Sequence, residues 1–96
     1  MGSLRHPRRS FLRFLAHRRA GRLAHEAVLV LRERNQAPLC SLERMALTAR
    51  AMELNCLSCA AAAEAAGDDE MVIEHRVEAG FFGQRARLHA ALGTPV

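Results

Sequence analysis

Apolar residues recur at steps of three and four through most of this chain, and nowhere do they alternate with period two for long enough to build a strand. The clearest stretch is residues 41–66. There Leu42, Met45, Ala46, Ala49, Met52, Cys56, Cys59, Ala60 and Ala63 fall within one arc of about 140° on a helix. Ser41 offers the hydroxyl of an N-cap, Glu43 places a carboxylate in the first turn, and Gly67 can take the left-handed conformation that ends a helix. Leu47, Leu54 and Ala61 form a second stripe, which predicts a central helix buried on two sides.

Residues 69–92 predict another helix, capped by Asp68 or Asp69 and acidic at its start through Glu70. Its apolar face is read as Ile73, Val77, Phe81, Leu88 and Leu92, expected to close against residues 42–63, and Gly80-Phe-Phe-Gly83 offers a break at 80–83. A first helix is expected over 22–34, from Leu23, Ala27, Val30, Val28 and Leu31, with residues 35–38 as linker. Upstream, Arg18 and Arg22 fall near Phe11 on a helical projection, so an unbroken helix would mix charge into its own apolar face. Gly21 is the expected break, with Ser10 capping a separate amphipathic segment. The chain thus divides into an Arg-rich N-terminal arm, residues 1–21, and a helical domain, residues 22–96. The fold class is all-α, a small three-helix or helical-hairpin bundle.

Composition makes that bundle thin. Four Phe are the only aromatics and 18 Ala supply much of the apolar content, so little area is buried per residue and a partner surface is expected to contribute to stability. Charge changes the picture more. All 14 basic side chains are Arg, and seven of them precede the first acidic residue, Glu26; the net charge of +4 conceals +7 before Glu26 and −3 after it. Guanidinium groups stay protonated and present a rigid fork of donors suited to carboxylates, phosphates or an anionic membrane face. Phe11, Leu12, Phe14 and Leu15 are interleaved with them, which points to an amphipathic docking element. The candidate docking residues are therefore Arg8, Arg9, Phe11, Arg13, Phe14, Leu15, Arg18, Arg19 and Arg22, and the expected partner is a larger assembly with an acidic surface; anionic lipid and RNA phosphate are the other surfaces that suit them. The acid-free, Arg-rich start with Ser3 and Ser10 also has the composition of a targeting segment, so the expected setting is the mitochondrion, with a bacterial or cytosolic soluble protein as the alternative.

Candidate chemistry adds little. Cys40, Cys56 and Cys59 are an odd count, which argues against a disulfide framework. Cys56-Leu-Ser-Cys59 falls in mid-helix on the apolar stripe, where thiols behave as small hydrophobes, and the spacing of Cys40, Cys56, Cys59 and His75 is not that of a known zinc finger. His25-Glu26 lacks the second histidine of a zincin, and the serines have no nucleophile elbow. A helix-turn-helix over 70–89, presenting Gln84, Arg85 and Arg87, has Arg76 where a small residue belongs. No apolar run approaches the ~18 residues that cross a bilayer. The sequence therefore predicts a non-catalytic accessory subunit without cofactor or metal. A nucleic-acid-binding regulator or ribosome-associated protein using the arm on phosphates is the alternative, and a Cys/His metal or redox carrier is the third.

Overall fold

The computed structural model describes residues 7–94, which form three α-helices and no strand: α1 Pro7–Gln36, α2 Leu42–Ala66 and α3 Asp69–Gly93. Residues 1–6 of the expected arm, with Ser3 and Arg5, lie outside the described residues. The punctuation follows the sequence. Ser41 accepts from the Arg44 amide at 3.0 Å and caps α2, Gly67 at φ +77 ends it, and Asp68 accepts from the Met71 amide at 3.2 Å to start α3. Between α1 and α2 the Ser41 hydroxyl also donates to the Pro38 carbonyl at 2.7 Å, and Cys40 takes a left-handed φ of 60.

Two expected breaks are absent. α1 starts at Pro7 rather than near residue 22, with Ser10 inside its first turn, and it runs straight through Gly21. Proline suits the first helical position because its φ is already helical and the missing N–H would have had no partner there. α3 likewise continues through Gly80 and Gly83. Mixing Phe11 with Arg18 and Arg22 breaks nothing, because that face points outward. The inward face of α1 is Ala16, Ala20, Leu23, Ala27 and Val30, at steps of four and three.

α2 is the central helix, packed on α1 along one side and α3 along the other; among the described residues α1 and α3 do not touch. On the α1 side Ser58 donates to the Ala20 carbonyl at 2.7 Å, and Ala51, Leu54 and Ala61 share Ser58's side of the helix and are buried. On the α3 side Ala49 and Ala60 are buried, facing Val72, Ala79, Gly83 and Ala86. The short turns at residues 37–41 and 67–68 make successive helices antiparallel, and steps of three and four on the contact faces keep apolar residues against α2. The elongated form, 63 × 22 × 18 Å, follows from the length of helices of 25 to 30 residues lying alongside one another.

The face assigned to the core of α3 is the one that faces solvent. Ile73, Val77, Phe81, Leu88 and Leu92 are between 56 % and 70 % exposed, while α2 is met by Val72, His75, Ala79, Phe82, Gly83 and Ala86. On α2 the buried stripe is correspondingly rotated, leaving Met45, Met52 and Cys59 exposed. Small residues win the contact because they let two helix backbones approach, and Gly83 lets the Glu53 carboxylate sit where a Cβ would otherwise stand.

Leu54, at 2 % exposure, is the largest side chain buried between α1 and α2. Leu54→Ala should lower unfolding free energy by about 2–5 kcal/mol, and Ala16→Leu, which forces bulk into a fully enclosed site, by about 1–3 kcal/mol, both read by urea denaturation. Wild-type stability in both variants would reject this assignment of the interface.

Candidate functional site

The nine candidate docking residues all lie on α1, and the helix sorts them into three groups. Phe11, Phe14, Leu15, Arg18 and Arg22 fall within about 100° of arc opposite Ala16 and Ala20, with Arg8 at its margin, and all six are exposed. The Arg18 guanidinium carbon lies 5.9 Å from the Phe14 ring centroid, close enough for a cation–π contact that holds both side chains on this face. Arg9 and Arg13 turn instead toward the α2–α3 turn, where with Leu12 they line a concavity beside Glu64, Gly67 and Asp69. Arg19 pairs with Glu64.

Glu64 also lies 3.8 Å from Arg76, so one α2 carboxylate links the guanidinium groups of both outer helices. With all three side chains well exposed this is a weak tie, about 0–1 kcal/mol for each pair. It ties Arg19 to α2 more than it stabilises the fold.

The outward face is longer than the sequence suggested. Phe11, Leu15, Arg18, Arg22, His25, Leu29 and Arg32 continue at steps of four and three, and all are exposed. His25, Leu29 and Arg32 were missed because residue 21 was treated as a boundary; the unbroken spacing across Gly21 is the signal that identifies them. The face holds cations and apolar groups together over two thirds of α1. Before Glu26 no acidic residue interrupts it.

The thiols are placed differently from expectation. Cys56 is half-buried against α3, whereas Cys59 is exposed and Cys40 lies exposed in the α1–α2 turn. Cys40 borders a cavity of about 360 Å³ with Met45, Met52, Phe82 and His89, so the histidine at its end of the molecule is His89 and not His75. His75 is turned to Glu78 at 3.2 Å. Among the described residues no three Cys, His, Asp or Glu side chains converge as a metal site requires. Nor is any helix among them long and apolar enough to cross a membrane. The turn that a helix-turn-helix would need at Gly80 is replaced by continuous helix.

The chain matches no protein-family model, no curated protein and no solved structure.

Burial pushes the Cys56 thiol up from its ordinary value, and the Glu78 carboxylate and neighbouring Cys59 push the same way. Less thiolate and less access should both slow its alkylation. Cys40 and Cys59 should therefore react with iodoacetamide first at pH 8, with Cys56 lagging and its share of the label growing as pH rises. Equal labelling of all three by peptide mass spectrometry would remove the packing assigned to Cys56.

Proposed function

We propose that this protein is a small, non-catalytic helical accessory subunit that docks onto a larger assembly through the outward face of α1. The observation that carries the reading is the exposure of Phe11, Phe14 and Leu15 beside Arg8, Arg18 and Arg22 on a helix segment with no acidic residue. A solvated helix face has no reason to expose two aromatics; a docking face uses them as anchors surrounded by charge. The partner surface that fits is apolar at its centre and acidic at its rim. A mitochondrial setting agrees with the Arg-rich, acid-free start of the chain.

Nucleic-acid binding through the same arginines is the second reading, favoured by the density of guanidinium groups. The two differ in what the apolar residues do. Phosphate binding rests on counterion release and falls steeply with salt, whereas an anchored interface depends on Phe11 and Phe14 and resists salt.

Two variants separate them, each confined to exposed positions so that helicity is retained. Arg8, Arg18 and Arg22 replaced by Gln test charge, and Phe11, Phe14 and Leu15 replaced by Ser test apolar contact. In affinity purification of the tagged full chain from its native source, followed by mass spectrometry, each set should reduce recovery of the same assembly at least about tenfold. Recovery of RNA with a steep salt slope, lost only with the Arg set, would favour the second reading. Unchanged recovery with both sets would overturn the docking assignment.

A further inference from the structure

α3 has a face that α2 does not cover, and its chemistry differs from that of α1. Ile73, Val77, Phe81, Leu88 and Leu92 occupy about 100° of arc opposite the buried Val72, Ala79 and Ala86 seam, and no cation lies within that arc. Gln84 falls among them. The series 73, 77, 81, 84, 88, 92 has steps of four, four, three, four and four, so it reads the same from either end.

A seam with that symmetry complements itself when two copies run antiparallel. Ile73 then meets the partner's Leu92, Val77 meets the partner's Leu88, and Phe81 meets the partner's Gln84 near the two-fold axis, each contact occurring twice. We propose that this face joins two copies of the chain in an antiparallel, two-fold symmetric dimer.

Charge selects the orientation. Glu78 and Arg85 lie seven residues apart on one flank of the seam, both exposed, so antiparallel pairing brings Glu78 to the partner's Arg85 at both ends. Parallel pairing would turn this flank toward the partner's opposite flank, so Glu78 and Arg85 would not meet. On the other flank Arg76 is drawn back to Glu64 on α2 and Arg87 lies against Gly83, so these cations do not oppose one another across the seam. A 25-residue helix is about 37 Å long, and five large apolar side chains along it with their flanks reach the scale of a stable interface, about 800 Å² per partner. An anionic bilayer fits poorly, because Glu70 and Glu74 fall within the arc of this face at its N-terminal end and Glu78 lies on its flank. The dimer leaves both α1 docking faces free on its outer edges.

Sedimentation equilibrium of the full chain at micromolar concentration should give a dimer. Phe81→Asp and Leu88→Asp should each raise the dimer dissociation constant at least about tenfold with unchanged far-ultraviolet circular dichroism, since both positions are exposed in the single chain. Glu78→Arg and Arg85→Glu should each weaken the dimer. The double variant should restore it, and an equal mixture of the two single variants should form heterodimers. A monomer at roughly 100 μM, or a dimer indifferent to both Asp variants, would overturn the proposal, and absence of charge-swap rescue would reject the antiparallel pairing. Replacing Arg8, Arg18 and Arg22 with Gln should leave the dimer intact, so loss of docking and loss of self-association are read separately.

Discussion

The close approach of α2 to a helix on each side governs the rest of the molecule. The residues at the two contacts are mostly alanine: Ala16, Ala20 and Ala27 meet Ala51 and Ala61, and Ala79 and Ala86 meet Ala49 and Ala60, with Leu54 and Val72 the larger exceptions. Helices that touch through methyl groups can approach closely, and a close approach leaves little room for large side chains between them, Leu54 being the main exception. Many of the bulky apolar side chains are therefore left outside the interfaces. No polar or charged residue is buried among the described residues, so the two contacts are apolar but small in area.

This arrangement explains the unusual surface. With α1 and α3 on opposite sides of α2, each outer helix has one face inward and one unsupported, and the excluded bulk collects on the unsupported faces. On α1 it is mixed with guanidinium groups; on α3 it is flanked by side chains of both signs, with Glu70, Glu74 and Glu78 concentrated toward its N-terminal half. Two apolar faces of different charge, one on each outer helix, allow two different contacts at once. A fold that buries mainly alanine gains from covering either face, because each carries large apolar side chains that are still exposed.

Local signals in the chain were readable wherever local chemistry decides the outcome. Ser41, Gly67 and Asp68 act through hydrogen bonds and backbone freedom within a few residues, and each does in the structure what its residue type implies. The double stripe of α2 was also readable, since Leu54 and Ala61 can be buried only if a second helix covers them. Gly21 and Gly80 misled for the converse reason. Glycine lowers helix propensity by about 1 kcal/mol, which marks a candidate break but is overridden when Ala20 and Ala27, or Ala79 and Ala86, pack on α2 either side of it.

The sequence by itself determined the helical class, the ends of α2 and α3, the centrality of α2, and the polarisation of charge toward the N-terminus. Tertiary structure alone decided which face of each outer helix turns inward. Hydrophobicity ranks Ile73, Val77 and Phe81 above Val72, Ala79 and Gly83, yet the contact with α2 is set by how near two backbones can come, and that favours the smaller set. A periodic pattern measures the apolarity of a face. It carries no measure of the space available to that face, which exists only once a second helix is in place.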